Sequence, residues 1–291
     1  DVENFPTTGG EDAWDGAEMT HFGTRVDRYT TPDDLLTLDA GLFFGRAGQR
    51  LLLPSFTPPA FADLAEDTYN QSGGHVLGRW SHTISPRSEM ILQAYYDRFW
   101  RHDGQLEYAQ NVADIDFQHR LPLGERHDFI WGLGARYLWD HIWSSELISF
   151  SNDSRDDYVL SAFLQDDFAI VPDRLHLIVG SKFEYNSYSG FEVQPSGRLL
   201  WTPDKQNTLW AAVSRAVRTP SRTELDGRIE ATHWLEGGAV LMGARFLAED
   251  DAKAEDLLAF EAGYRFQPAD RLSIDLAGFY YLYDDLRSIR A

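Results

Sequence analysis

Histidines that stand beside a carboxylate are the residues of this sequence with the clearest chemical potential. A carboxylate that orients an imidazole gives a common general base, and three neighbouring pairs have the residue types for it: His102-Asp103, His127-Asp128 and Asp140-His141. Successive residues of a β-strand point to opposite faces, so the partners could not meet within a regular strand. We therefore interpret these histidines as non-catalytic and predict that the chain is not an enzyme.

Carboxylates also gather in three acidic clusters, which invite comparison with a cation site. Hard cations such as calcium favour several carboxylate and carbonyl oxygens. The clusters lack the fixed ligand spacing of a calcium-binding loop, and charge in loops usually serves solvation. We predict no metal site and no cofactor. The clusters are Asp63, Glu66 and Asp67; Asp153, Asp156 and Asp157; and Glu249, Asp250 and Asp251 through Glu255 and Asp256.

Arginines and aromatic residues are the remaining candidates for ligand contact. Four arginines stand on the polar side of alternating segments, where they could bind an anion or, as we favour, pair with neighbouring carboxylates. They are Arg79, Arg136, Arg198 and Arg265. Aromatic rings in loop-like sequence could grip a ligand or pack against the loop. We select Arg198 and three such aromatic residues as candidate substrate-binding residues: Tyr69, Tyr188 and Trp234.

Composition restricts the class of protein. The 291 residues include 46 Asp and Glu against 26 Lys and Arg, and the resulting net charge of −20 argues against nucleic-acid binding. Cysteine is absent, which excludes disulfides and thiolate metal sites. No stretch approaches the roughly 18 to 20 apolar residues of a transmembrane helix. The strands of a membrane β-barrel need only about 9 to 11 residues and have one polar face, which suits a mean hydropathy of −0.39.

Alternation of apolar and polar residues is the dominant pattern and indicates strands with two unlike faces. It predicts about twelve strands, near residues 21–29, 35–45, 74–84, 88–101, 106–120, 128–142, 157–170, 174–186, 191–202, 207–218, 256–267 and 271–284. The phase places Leu199 and Leu276 on a lipid face and Ser196 in the lumen. In residues 209–218, either phase of the alternation places one arginine, Arg215 or Arg218, on the lipid face. We favour the phase that places Arg218 there, because an arginine at a strand end can snorkel to the membrane interface.

The connections between these segments predict the architecture. Short turns, each with a proline, alternate in strict order with longer loops; the prolines are Pro32, Pro86, Pro122, Pro172, Pro203 and Pro268. The longer loops reach their greatest lengths at residues 46–73, 143–156 and 219–255, far beyond the usual median of about 4 to 6 residues. A soluble β-sandwich also has alternating strands, but long strands and short-long connections favour an antiparallel transmembrane β-barrel with the three long loops on one side.

Several segments resemble the TonB-dependent receptors, outer-membrane proteins with a large barrel. The motif Ser214-Arg215-x-x-Arg218-x-Pro220-Ser221 resembles a strand of that family that rises into a long loop, and Phe163-x-Gln165-Asp166 resembles another. Phe260-Glu261-x-Gly263-Tyr264-Arg265 and residues 279–286 are similar to two later strands. The resemblance covers the second half of the chain well and the first half more weakly.

The resemblance implies a function that the periodicity alone does not. It implies a bacterial outer-membrane receptor for energised uptake of a scarce nutrient such as a ferric chelate or cobalamin, with outer-membrane lipid, lipopolysaccharide and a small-molecule ligand as partners. Residues 1–291 would be part of a barrel of 22 strands, and we expect the plug domain, its TonB contact and the last strands to be missing from this piece. A passive porin and a barrel-borne surface hydrolase are the alternatives.

The segment 219–255 is the strongest candidate for ligand capture. A connection beyond about 12 to 15 residues is usually functional or disordered. This one contains enough apolar residues to argue against simple disorder, among them Trp234, Leu235, Met242 and Phe246. We expect it to be an extracellular loop that helps to capture the ligand in the full-length receptor.

Overall fold

The computed structural model describes residues 14–54, 62–145, 148–236, 239–247 and 253–287, which form β-strands with one short helix. No helix in these ranges is long and apolar enough to cross a membrane. The elements are β1 (Ala17–Thr31), β2 (Asp34–Pro54), β3 (Ala62–Ser85), β4 (Ser88–His102), β5 (Glu107–Leu123), β6 (His127–Trp143), β7 (Ile148–Phe150), β8 (Ser154–Val171), β9 (Leu175–Asn186), β10 (Gly190–Trp201), β11 (Asn207–Arg218), α1 (Arg222–Asp226), β12 (Gly227–Glu236), β13 (Ala239–Leu247), β14 (Glu255–Ala269) and β15 (Leu272–Asp284).

Twelve of these strands form one antiparallel sheet in the order β1-β2-β3-β4-β5-β6-β8-β9-β10-β11-β14-β15. Each strand therefore pairs with its neighbours in the chain, except where β7 and the pair β12–β13 leave the sheet and form a separate three-stranded sheet, β13-β12-β7. This architecture confirms the prediction of an all-β antiparallel barrel wall with about twelve strands.

One face of the large sheet is apolar across its whole width. Residues directly opposite each other in paired strands share a face. A single row of partners runs from Val26 through Leu38, Gly78, Ala94, Ile115, Ala135, Leu160 and Tyr185 to Phe191. Leu199, with 43% of its surface exposed, and Leu276, with 65%, lie on the same face, as predicted. We call this surface the apolar face.

The opposite, polar face carries the predicted lumen residues. Ser196 lies there opposite Gly180 and Ser214, and Arg198 lies two residues further along the same strand. Two of the four predicted arginines pair with carboxylates, as we favoured: Arg136 with Asp114 at 2.7 Å and Arg265 with Asp275 at 2.6 Å. The guanidinium of Arg198 instead lies over the ring of Trp210, 5.5 Å from its centroid.

The connections lie on two edges of the sheet, which we call the short-turn edge and the long-loop edge. The prediction of strictly alternating lengths is wrong, because residues 103–106 and 187–189 are tight turns on the long-loop edge. Side chains close both turns: Asp103 accepts hydrogen bonds from the backbone of Gln105 and Leu106 at 2.9 and 3.1 Å, and Asn186 closes the other in the same way. Turns of this kind need no extra length.

The predicted loops at 46–73 and 219–255 also contain more regular structure than their sequences indicated. Residues 46–54 continue β2 and pair with residues 62–70 of β3, so the hairpin extends far beyond the other strands. Residues 222–226 form α1, and β12 and β13 form a hairpin. The turn between β2 and β3, residues 55–61, lies outside the described residues.

The register places Arg215, not Arg218, on the apolar face, so our assignment in this strand is wrong. Arg215 lies opposite Leu258, whereas Arg218 lies opposite Glu255 on the polar face. The β10–β11 ladder begins at Ser196, one residue after Pro195, which has no backbone N–H to donate. The Arg215 guanidinium reaches into this gap, donates to the carbonyl of Val193 and pairs with Asp256. A local break in the ladder thus makes room for an arginine that the alternation pattern alone disfavours.

Candidate functional site

The structure does not bring the four predicted binding residues together. Tyr188 lies in the tight turn between β9 and β10 on the long-loop edge, whereas Arg198 lies three residues before the end of β10 at the short-turn edge. Tyr69 is in β3, not in a loop, and lies under the guanidinium of Arg101 at 4.5 Å. Trp234 is in β12, opposite Met242, rather than in a loop, and its side chain lies outside the described residues.

Two connections of the long-loop edge are joined to each other. The segment between β6 and β8 contributes β7, which pairs with the first residues of β12, so that Gly227 lies opposite Phe150 and Ile229 opposite Ile148. The backbone N–H of Ser151 also donates to the carbonyl of Asp226 at 3.0 Å. Backbone hydrogen bonds therefore join the predicted capture loop, between β11 and β14, to the loop between β6 and β8. Four strands of the sheet, β8 to β11, lie between these two loops.

Charged side chains fasten this loop assembly to the barrel wall. We call them, with one tyrosine, the rim cluster: Asp140, Arg155, Asp157, Tyr188, Arg222 and Asp226. Arg155 of β8 pairs with Asp226 of α1 at 2.8 Å and with Asp157 of its own strand at 3.0 Å. Arg222, the first residue of α1, pairs with Asp140 of β6 and donates to the carbonyl of Asn152. The pair within β8 orients Arg155, and the other contacts join a loop to a strand of the sheet or to the other loop.

Tyr188 completes the rim cluster. Its hydroxyl donates to the carboxylate of Asp157, and its ring lies under the guanidinium of Arg155 at 4.6 Å. Burial, with the nearby Asp157 carboxylate, raises the pKa of the Tyr188 hydroxyl, so this group remains a neutral donor. The candidate aromatic residue is therefore held in one orientation at the rim.

The carboxylates of the rim cluster are buried although they are charged. Asp140 exposes 6% of its surface, Asp157 5% and Asp226 9%. Burial of an ion is costly unless it is paired and hydrogen-bonded, and here arginines supply the pairing. An arrangement of this kind fixes geometry. Loss of one arginine would leave a carboxylate buried without its partner.

A second set of charges holds the start of α1. Ser221 and Glu224 form a capping box, in which the backbone N–H of Ser221 donates to Glu224 at 2.7 Å. Arg218 at the end of β11 pairs with Glu224 at 2.8 Å and with Glu255 at 2.7 Å. The hydrogen bonds from Arg218 are the main reason that the pKa of Glu224 is lowered to about 2. Both ends of the 219–254 connection therefore meet at Arg218.

Several of the histidines and acidic residues singled out in the sequence pair with other side chains in the structure. His127 bonds to Asp166 at 2.6 Å and His102 lies 3.3 Å from Glu107, so neither pairs with the carboxylate next to it in sequence. Asp157 and Glu255 take part in ion pairs with arginine. The described residues contain no group of three or more potential metal ligands, and Glu249, Asp250 and Asp251 lie outside them.

Reasoning from sequence missed the rim cluster as a unit. In the sequence Asp140 is distinguished only by its neighbour His141 and Asp157 only by its acidic run, and Arg222 belongs to none of the candidate sites. The available signal was Ser221-x-x-Glu224, the pattern of a capping box, which indicates a helix start where we expected a loop. Nothing in the local sequence indicates that Arg222 meets Asp140, since 82 residues separate them.

Comparison with known proteins gives a family and a fold. A family model described as "TonB dependent receptor-like, beta-barrel" matches residues 3–289. The siderophore receptor PirA of Pseudomonas aeruginosa has a similar structure, with a TM-score of 0.72 and 16% identity over 92% of this chain and 46% of that one. No curated protein matches the sequence.

Two further structures have the same fold. A ferric enterobactin receptor (PfeA) mutant of P. aeruginosa gives a TM-score of 0.69 with 16% identity, over 97% of this chain and 45% of that one. The alcaligin receptor FauA of Bordetella pertussis gives 0.60 with 15% identity, over 94% and 45%. The chain thus spans less than half the length of these structures, and at such identities the likeness shows the fold alone. Because the family model matches nearly every residue, the chain belongs to the TonB-dependent receptor family and forms part of its β-barrel domain.

Proposed function

We propose that this chain is a wall segment of an outer-membrane receptor that imports a ferric siderophore with energy supplied through TonB. The observation that carries the proposal is the joined pair of loops at the long-loop edge of a sheet that is apolar on one side and polar on the other. A receptor of this class must hold a solute at its outer mouth, and the rim cluster fixes the loops there. Family membership and the siderophore receptors among the similar structures support the choice of solute.

The proposed placement follows from the two edges. The apolar face contacts lipid, the polar face lines the lumen, and the short-turn edge faces the periplasm, as in other outer-membrane barrels. Residues 1–291 form part of one barrel domain whose remaining strands, plug and TonB contact belong to the full-length receptor. Tyr69 and Tyr188 then lie toward the cell exterior, as does the backbone of Trp234 in the three-stranded sheet β13-β12-β7. Arg198 lines the periplasmic half of the lumen.

Uptake measurements test this function directly. Cells that lack the full-length receptor are supplied with a panel of radiolabelled ferric siderophores of catecholate, hydroxamate and carboxylate type, and with labelled cobalamin. We expect one ferric siderophore to enter only when both the receptor and TonB are present. Entry that needs the receptor but not TonB would replace the proposal with the passive porin, and hydrolysis of a substrate at the cell surface would replace it with the enzyme.

A further inference from the structure

The large sheet has a gap between two strands that stand side by side, β10 and β11. Their ladder pairs residues 196–201 with residues 209–214 and stops there, although β10 extends to Gly190 and β11 to Arg218. Both strands stay paired on their other sides, β10 with β9 and β11 with β14. Every other ladder between described strands of this sheet continues until one of its strands ends. The gap therefore lies within the wall, between strands that have neighbours on both sides.

Pro195 is the residue at which the ladder stops. The carbonyl of Val193 accepts a hydrogen bond from Arg215, so the backbone groups of Val193 point toward β11. Residues two positions apart in a strand direct their backbone groups to the same side, and those of Pro195 therefore face β11 as well. Proline has no N–H to donate there. A single residue thus ends the ladder on the β11 side and leaves the pairing with β9 intact.

The guanidinium of Arg215 occupies this gap. It donates to Asp256 of β14 at 2.7 Å and to Glu192 of β10 at 3.0 Å, in addition to its bond to the carbonyl of Val193. The register places Asp256 on the apolar face and Glu192 on the polar face, so these contacts run through the wall from one face to the other. We call Glu192, Arg215 and Asp256 the wall latch. Its contacts hold β11 to β10 where the ladder cannot.

The helix α1 is fastened to the wall on both sides of the gap. Its residues Arg222 and Asp226 bind it to β6 and β8 through the rim cluster. Glu224 of the same helix pairs with Arg218 at the end of β11. The strand order β6-β8-β9-β10-β11 places the gap between these two anchors. A change in the spacing of β10 and β11 would therefore move the anchors apart and shift α1, with which the capture loop begins.

We infer that the gap is a joint in the wall and that Arg215 is the latch that keeps it closed. With the wall latch in place, β11 lies against β10 and α1 keeps one position. When the latch opens, β11 and β14 move away from β10 as a pair, because their own ladder is complete, and take the Arg218 anchor with them. Arg215 is thus a positioning residue for the capture loop. The inference rests on the proposed function, in which this loop helps to hold the siderophore.

Distances between spin labels across the gap test the joint in the full-length receptor, freed of other cysteines and reconstituted in vesicles. The pair Tyr185→Cys and Leu282→Cys places labels at exposed positions of β9 and β15, four strand spacings or about 20 Å apart across the sheet. We expect one narrow distance when Arg215 is present and a second, longer distance in Arg215→Gln. A control pair, Val179→Cys and Tyr280→Cys, spans the same strands at the level of the intact ladder and should keep one distance.

A suppressor substitution separates the joint from general damage to the barrel. Pro195→Val supplies the missing N–H, so the ladder can continue and close the gap without the latch. In the Arg215→Gln background it should restore the single narrow distance. It should also restore the siderophore affinity, which Arg215→Gln lowers about tenfold. As a matched control, Arg265→Gln removes an arginine that pairs with Asp275 across the intact β14–β15 ladder, and both distances should stay unchanged.

Three results would overturn the inference. They are a single narrow distance across the gap in Arg215→Gln, an equal change in the control pair, and no recovery of the narrow distance with Pro195→Val. If Arg215→Gln does not fold, the double variant Glu192→Gln/Asp256→Asn takes its place, since it keeps the arginine and removes both carboxylates. The distances are measured without ligand, so they report on the joint even if the uptake measurements refute siderophore import.

Discussion

Arg222 shows how one side chain can join distant parts of the chain. It begins α1, pairs with Asp140 of β6, bonds to the carbonyl of Asn152 and lies 5.5 Å from the ring centroid of Phe150 in β7. Only 10% of its side chain and 2% of that of Asp140 remain exposed. The electrostatic attraction within such a pair is large because water is excluded, and so is the cost of separating its partners.

Single residues can also test the proposal that the apolar face of the sheet contacts lipid. Leu164 lies on the apolar face and Gln165 next to it on the polar face, opposite Gly180. We expect Leu164→Arg to destabilise the folded receptor by about 2 to 4 kcal/mol if it lies near the bilayer centre, because a charge there loses its water. Gln165→Arg should cost less than about 1 kcal/mol. Urea titration of the heat-resistant folded form in vesicles measures both, and equal losses would contradict the assigned faces.

At the scale of elements, the loop sheet is the part most directly connected to the proposed function. It is made from β7, β12 and β13, and the rim cluster and the Arg218 contacts hold it at both ends. A loop fixed in this way can present a surface to a ligand without first paying the entropy of ordering. A large movement of this loop would have to break several of these ion pairs at once.

Replacement of residues 230–252 by a short Gly-Ser linker tests the role of the hairpin. The variant retains α1, Arg222 and Asp226, so we expect normal insertion of the barrel into the outer membrane. Under the proposed function, binding of the siderophore identified by the uptake measurements to whole cells should weaken at least about tenfold, which corresponds to about 1.4 kcal/mol. Unchanged affinity and uptake at equal surface abundance would assign the hairpin to packing and not to capture.

At the scale of the whole molecule, the two edges of the sheet should lie on opposite sides of the membrane. The chain contains no cysteine, so single substitutions can be labelled selectively. Asn152 lies on the long-loop edge and Lys205 in a turn of the short-turn edge, and both residues are exposed, so we choose the substitutions Asn152→Cys and Lys205→Cys. In intact cells a membrane-impermeant thiol reagent should label only Asn152→Cys, and permeabilisation should expose Lys205→Cys. The reverse pattern would invert the proposed orientation.

The sequence by itself determined the twelve strands of the large sheet, the faces of most of their residues and the resemblance to the family. Alternation has a period of two in any strand, so it identifies Leu199 and Ser196 as residues of opposite faces without knowledge of their neighbours. Proline turns and the Ser214-Arg215 motif are local as well, and local patterns can be read from one segment at a time. The same property explains the errors at Arg215 and Arg218, since the phase of residues 209–218 is set by their register with β10 and β14.

Only the tertiary structure decided how the loops are held and where charges meet. The contact of Arg222 with Asp140 joins residues 82 positions apart, and that of Arg155 with Asp226 joins residues 71 apart. Such pairs depend on strand order and register, which no single segment specifies. The extension of β2 and β3 through residues 46–54 and 62–70 is of the same kind, because each strand continues only as long as its partner does. Pairing between distant segments, and not the composition of either, determined which of the predicted loops are strands.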